Sequence, residues 1–212
     1  MTVGIQTQGI SPSFTKRMAM EAFVKAGAVE GGIAADVGGG VGELSCMLAT
    51  KFQHVFLLDY DPPAIGTLAG NIKGVQVDLN EAWPMEDNSV DFAFSTEVIE
   101  HVHNPRHFLK EMVRITRPGG HVFLSTPNNH SLASKLIFIL RGQHRYFQDA
   151  SYPAHITPLL QIDLSRMGNE LGLEFVSWFW SGEDSIPWLN WKIPMRVPAF
   201  SVSIGVLYRL PS

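Results

Sequence analysis

Cysteine is nearly absent, charge is close to balanced and no long apolar run occurs, and each shortage removes a class of protein. One cysteine, Cys46, among 212 residues excludes an internal disulfide, and with no metal-binding spacing around it the residue reads as a buried hydrophobe inside a helix. Lys and Arg number 16 against 20 Asp and Glu, a net charge of -4. No general field draws in a polyanion, so non-specific nucleic-acid binding is not expected. No stretch reaches the ~18 apolar residues a membrane span needs, and the N-terminus lacks the basic-then-apolar pattern of an export signal. A cytoplasmic setting is the expectation. Internal repeats and low-complexity segments are missing too, which excludes solenoids and tandem arrays.

What remains is a chain able to build a core. With 45% hydrophobic residues it reads as one domain over 1–212: a helical N-terminal cap over 1–30, a core over 31–130, and substrate-side helices with the last two strands over 131–212. "TKRMAMEAFVKAG" has helical spacing and stops at glycine, whereas "GIAADV" and "HVFLLD" are short apolar runs ending in aspartate. "GELSCMLATKF" and "DPPAIGTLAGNI" predict the helices after those two strands, the second opened by Asp61 and Pro62. "VQVDL" and "VDFAFST" predict strands, and "NPRHFLKEMVRIT" a helix that stops at "RPGG". "HVFLSTP" predicts a strand, "SLASKLIFIL" a helix, "TPLLQIDLSRMGNELG" a helix capped by Thr157 and ended by Gly172, and "LEFVSWFW" and "SVSIGVLYRL" the last strands. Alternation of this kind predicts a mostly parallel, doubly wound α/β sheet in three layers, with ligands at the carboxyl ends of the strands.

"ADVGGGVGEL", Ala35 to Leu44, stands at the first such end. Bare glycines let the chain turn sharply and let a ligand approach the main chain, while the next helix offers free N–H groups to an anion. The dinucleotide fingerprint wants a third glycine at position 43, where Glu43 stands, so an NAD-dependent oxidoreductase is disfavoured. The pattern that fits is D-x-G-x-G-x-G: Asp36, Gly38, Gly40 and Gly42, with Gly39 between. Here the chain resembles the class I S-adenosylmethionine-dependent methyltransferases. The resemblance implies a Rossmann-like, seven-stranded sheet of order 3-2-1-4-5-7-6 with an antiparallel seventh strand, and S-adenosylmethionine as cofactor. Asp59, followed by Tyr60, would grip the ribose; Asp78 and the Leu79 N–H would meet the adenine; and Ser95 and Thr96 would lie where the methionine ammonium is held.

The sulfonium is already an activated donor, so the protein needs to align a nucleophile and remove its proton. "TEVIEHV", Thr96 to Val102, sets Glu97, Glu100 and His101 at i, i+3 and i+4, one face of a helical turn. This E-x-x-E-H turn, with "STPN" at Ser125 to Asn128, resembles ubiquinone-biosynthesis O-methyltransferases and small-RNA 2′-O-methyltransferases. That resemblance implies a catalytic role for Glu97, Glu100 and His101, and a divalent ion, Mg²⁺, held by Glu97, Glu100, His101 and a later histidine matching His155. The alternatives of His101 as a lone general base, or as a packed residue, stay open.

The apolar "SLASKLIFIL" with its basic end reads either as a lid helix or as one resting on a membrane at a peripheral contact. Arg106, Lys110, Arg114 and Arg117 read as a solvated face. Trp178, Trp180, Trp188 and Trp191 crowd the end of the chain, to pack on the core, join a subunit contact or wall an aromatic pocket. The expectation is methyl transfer to a hydroxyl of a small aromatic or lipid-like molecule. Its rivals are sugar or 2′-O-methylation, N-methylation, and a cofactor-binding but inactive partner subunit.

Overall fold

Two interleaved apolar sets on the same strands decide the architecture. The computed structural model describes residues 12–28, 30–63, 68–185, 192–193 and 195–212. Its strands are β1 (Ile33–Val37), β2 (His54–Asp59), β3 (Ile72–Gln76), β4 (Val90–Thr96), β5 (Thr116–Pro127), β6 (Glu174–Trp180), β7 (Asp184–Ser185), β8 (Lys192–Ile193) and β9 (Ser203–Arg209). The helices are α1 (Ser13–Lys25), α2 (Glu43–Leu48), α3 (Pro105–Ile115), α4 (Leu132–Arg141) and α5 (Gln161–Glu170). Because side chains alternate along a strand, Phe92, Phe94, Phe123 and Leu207 face one way, onto Met18, Phe23, Leu44 and Leu48 of α1 and α2. Ala93, Val122, Leu124, Val206 and Tyr208 face the other way, onto Phe108, Met112, Leu164 and Met167 of α3 and α5. The result is helix, sheet, helix.

The sheet runs β3-β2-β1-β4-β5-β9-β6, with β7 and β8 forming a separate two-stranded ribbon. Strands from β3 to β5 are parallel, and β9 is antiparallel to both β5 and β6. This is the expected 3-2-1-4-5-7-6 order. From β1 the chain winds outward through β2 and β3, then returns to place β4 on the other side of β1. The strand order therefore switches between β1 and β4, where such sheets open a crevice.

Several local expectations are corrected. Cys46 is exposed, because α2 turns Leu44, Ser45 and Leu48 inward. That helix has six residues rather than eleven, since the chain must double back into β2 and Asn71 Nδ2 donates to the carbonyls of Ala49 and Phe52 at 3.0 and 3.1 Å. Residues 61–63 do not open a helix: Pro63 disfavours the helical basin for Pro62, and Asp61 N donates to Asp59 Oδ1 at 3.2 Å. The middle of that segment lies outside the described residues. "RPGG" does not separate α3 from a later strand; β5 begins at Thr116 directly, with Gly119 at φ +74° and a register shift opposite Val90 and Phe92. β3 ends at Gln76, two residues short of Asp78.

Thr157 is not the cap of α5. It precedes Pro158, donates its hydroxyl to Val102 O at 3.2 Å, and leaves the helix to start at Gln161, where Asp163 Oδ2 accepts from Leu160 N at 3.0 Å. Arg114 is no solvated cation; it binds Glu111, Asp87 and the carbonyls of Trp83 and Met85, pinning the loop before β4. Trp178 packs on the α3/α5 side, while Trp188 and Trp191 lie outside the described residues.

Phe94 is fully buried, with ring centroids 3.9 Å from Phe92 and 6.1 Å from Phe52. Phe94→Ala leaves a cavity between β4 and α2, and is expected to cost about 3–5 kcal/mol, read as a lowered urea midpoint with an unchanged slope.

Candidate functional site

At the switch point the chain leaves β1 through Gly38–Gly42 and enters α2. Gly38 has φ +74°, and a Cβ added there would lie 2.4 Å from Val98 Cγ2, so both its dihedral and its neighbour reserve the position for glycine. Leu58 O accepts from Gly38 N and Gly39 N at 2.7 and 3.3 Å, hanging the loop on β2. Asp59 completes the hold: Oδ2 accepts from Gly40 N at 2.8 Å and Oδ1 from Asp61 N. A carboxylate fixed through one lone pair on each oxygen keeps the others for a pair of ligand hydroxyls. Tyr60 beside it is exposed.

Asp36 lies underneath, 1% exposed, with Oδ2 accepting from Ser45 Oγ at 2.6 Å. It braces α2 against β1, and burial pushes its carboxyl up to about 6 against the lowering effect of the Ser45 bond. Ser95 Oγ donates to Val37 O at 3.0 Å and ties the end of β4 to the end of β1; Thr96 is buried next to it. Asp78 and Leu79 are half-buried beyond β3, with Asp78 Oδ1 accepting from Asn80 N and Nδ2 at 2.9 Å. Gly loop, Asp59 and the Ser95–Thr96 strand end thus share one end of the sheet.

The E-x-x-E-H stretch forms a turn rather than a helix, because Glu97 takes φ +57° at the end of β4. Its carboxylate is taken up by two serines and is not part of the cluster that the other two residues of the motif join: Oε1 accepts from Ser125 Oγ at 2.8 Å and Oε2 from Ser203 Oγ at 3.1 Å. Burial pushes it up to about 7 in spite of both hydroxyls. Glu97 therefore strings together the ends of β4, β5 and β9.

Glu100, His101 and His155 do converge; one ligand atom from each lies within 4.8 Å of the others. Glu100 is fully buried, Oε2 accepts from Thr126 Oγ1 at 3.0 Å, and Oε1 is without a hydrogen-bond partner, 3.9 Å from His101 Nε2. Burial, then the proximity of Glu97, holds its carboxyl well above the ordinary range. His101 Nδ1 lies 2.7 Å from Ala154 O, and His155 Nδ1 2.7 Å from Tyr146 O. A carbonyl can only accept, so each Nδ1 carries the proton and each Nε2 keeps its lone pair. Burial lowers both imidazoles below their ordinary range, which keeps them neutral. Ile156 N and Thr157 N both donate to Glu100 O at 3.1 Å, fastening the segment that bears His155 to the turn that bears Glu100.

The three side chains that converge here and the glycine loop are all among the residues the motifs single out. Ser203, Ala154 and Tyr146 carry no such mark: they come from strands and loops distant in the chain and, for two of them, contribute backbone atoms that have no residue signal.

The chain is similar to known methyltransferases. Residues 35–124 match the family described as Methyltransferase domain. An uncharacterized methyltransferase of Mycobacteroides abscessus is 34% identical over 105 residues, 46% of this chain and 40% of that protein. The ubiquinone biosynthesis O-methyltransferase of Aeromonas salmonicida is 30% identical over 161 residues, 70% of this chain and 66% of that protein. The chain therefore spans between two-fifths and about two-thirds of the length of these relatives. Among solved structures, a SAM-dependent methyltransferase of Archaeoglobus fulgidus has a TM-score of 0.64 at 16% identity, covering 92% of both chains. A Burkholderia thailandensis 1,6-didemethyltoxoflavin-N1-methyltransferase with bound S-adenosylhomocysteine has a TM-score of 0.66 at 14% identity, covering 94% of this chain and 79% of that one.

Gly38→Val is expected to abolish binding of S-adenosylmethionine by calorimetry, because the added branches collide with Val98 and force the loop apart. The Asp36 carboxyl titrates higher folded than unfolded, so the folded chain takes up a proton between pH 3.8 and about 6. Its contribution is therefore greatest on the acid side and is lost as pH rises through 6. Asp36→Asn keeps the bond from Ser45, and is expected to make the decline shallower, the shares of Glu97 and Glu100 remaining, and to raise stability at pH 7.5 by roughly 1–3 kcal/mol, measured as urea midpoints from pH 5 to 7.5.

Proposed function

Because the chain belongs to the class I S-adenosylmethionine-dependent methyltransferases, we propose that it moves the cofactor's methyl group to a hydroxyl oxygen of a small aromatic or lipid-like molecule. The observation that carries the reading is the cluster of Glu100, His101 and His155 one turn beyond Val98, which itself rests on Gly38 of the cofactor loop. Methyl transfer to a hydroxyl needs its proton removed, whereas a neutral amine attacks without help. A proton acceptor beside the loop therefore favours oxygen over nitrogen. The likeness to an enzyme named for O-methylation in ubiquinone biosynthesis supports the same choice.

In this reading the Gly38–Gly42 loop admits the cofactor close to the main chain, Asp59 takes its ribose hydroxyls, and Asp78 and Leu79 lie toward its adenine. His101, neutral and with Nε2 unprotonated, accepts the proton of the acceptor hydroxyl. The new O–C bond forms as the S–C bond breaks, the positive charge of the sulfonium disappears, and the proton ends on His101 Nε2. Glu97 acts as a positioning residue through Ser125 and Ser203, holding the turn that presents Glu100 and His101.

The resemblance to the E-x-x-E-H enzymes also implies a divalent ion, and the side chains offer a fit: an unpartnered buried carboxylate oxygen and two imidazoles whose Nδ1 atoms are committed to carbonyls. Glu100, His101 and His155 would hold it, with Glu97 taken up by Ser125 and Ser203. Two imidazoles and one carboxylate form a softer set than the oxygen shell Mg²⁺ prefers, so the ion proposed is of the Mn²⁺ or Zn²⁺ kind. When bound, such an ion would acidify a hydroxyl that it touches, and, with His101 Nε2 then a ligand, would stand in place of the proton acceptance described for the metal-free site.

Transfer of labelled methyl to a panel of catechols, phenols, sugars, amines and short RNA, with added Mn²⁺, Zn²⁺ or Mg²⁺ and with chelator, tests this directly. His101→Ala is expected to lower kcat by about 10²-fold or more while the cofactor Kd stays within about threefold. Preferred labelling of amines, or full turnover by His101→Ala, would overturn the oxygen assignment. Cofactor binding without transfer to any acceptor would favour an inactive partner subunit.

A further inference from the structure

Helix α4 wears its apolar surface outward. Ser131 caps it, with Ser134 N donating to Ser131 Oγ at 3.1 Å, and Gly142 closes it at φ +70°, so the helix is defined at both ends. Yet the side chains it buries are the small Ala133 and Ser134. Leu132, Leu136 and Ile139, at i, i+4 and i+7, form an exposed stripe with Leu140 beside it, and Ile139 and Leu140 are 78% and 61% exposed. A helix serving only the fold would show the reverse distribution. Among the described residues no helix is long and apolar enough to cross a membrane, so this stripe is of the kind that lies along a surface.

Charge says which surface. Residues 131–155 hold Lys135, Arg141 and Arg145 against a single acid, Asp149, in a chain whose net charge is -4. Lys135 is exposed within the stripe, and Arg141 closes the helix with Nη1 on Gln148 Oε1 at 2.8 Å. Two copies pairing through this face would set those cations against each other. An anionic lipid surface would take the apolar stripe among its acyl chains and the cations among its headgroups.

We propose that α4 is a peripheral docking helix for anionic membrane. The same segment continues into Tyr146, whose carbonyl accepts from His155 Nδ1 at 2.7 Å, so docking ties the segment that bears His155 to the bilayer. The inference stands apart from the methyl-transfer reading: a chain inactive toward every acceptor would still bind vesicles.

Co-sedimentation of the full chain with vesicles of phosphatidylcholine and phosphatidylglycerol at about 3:1 tests it. Partition is expected to exceed that onto pure phosphatidylcholine by about tenfold, and Ile139→Glu to reduce it by about tenfold with the thermal melt unchanged. Leu140→Gln, milder and at a similarly exposed position, reads the same loss should Ile139→Glu lower the folded yield. Absence of partition onto anionic vesicles, or partition untouched by both variants, would overturn the proposal. So would a dimer by sedimentation velocity that Ile139→Glu dissolves, since a second copy would then cover the face.

Discussion

The seat of Val98 on the bare α-carbon of Gly38 is the constraint from which the rest of the site follows. β1 and β4 lie side by side at the switch in strand order, and their exits must pass within van der Waals reach of each other. Only a glycine on one exit allows a branched side chain on the other. Once that contact is made, the loop is delivered to Asp59 and the turn beyond β4 is delivered to β5 and β9. The glycine loop and the cluster of Glu100, His101 and His155 are thus two sides of one steric fit.

Three carboxyls at this end of the sheet, Asp36, Glu97 and Glu100, are held above their ordinary range, each first by burial. A fold under no other demand would replace them with apolar groups of similar size, because burying an acid costs stability unless it is fully partnered. Asp36 and Glu97 repay part of that cost by tying elements together through Ser45, Ser125 and Ser203. Glu100 Oε1 has no such partner, and the imbalance sets it apart from the carboxyls that brace the fold.

Much of this was legible from residue order. Apolar runs such as "VDFAFST", the Asn104–Pro105 start of α3 and the terminator at Gly172 fix strands and helices locally, and alternation of the two then leaves few topologies. The glycine loop was legible because its conformation demands a residue type. The direction of Glu97 was not, since i, i+3, i+4 spacing converges only on a helix, and a single positive φ undoes it. The shortness of α2, the uninterrupted β5 and the exposure of Cys46 were hidden for a related reason: each depends on what the neighbouring strand needs, not on the segment itself.

The cluster draws on Glu100 and His101 on one side and His155 on the other, with Tyr146, Ala154, Ile156 and Thr157 joining them through main-chain N–H and carbonyl groups. Closing a stretch of more than fifty residues onto one carbonyl is a late, long-range event in any folding sequence. A molecule with its sheet complete but this stretch detached would keep the glycine loop hung on Asp59 and yet lack the meeting of Glu100, His101 and His155. Assembly of the cluster is therefore a property of tertiary closure, separable in time from assembly of the loop.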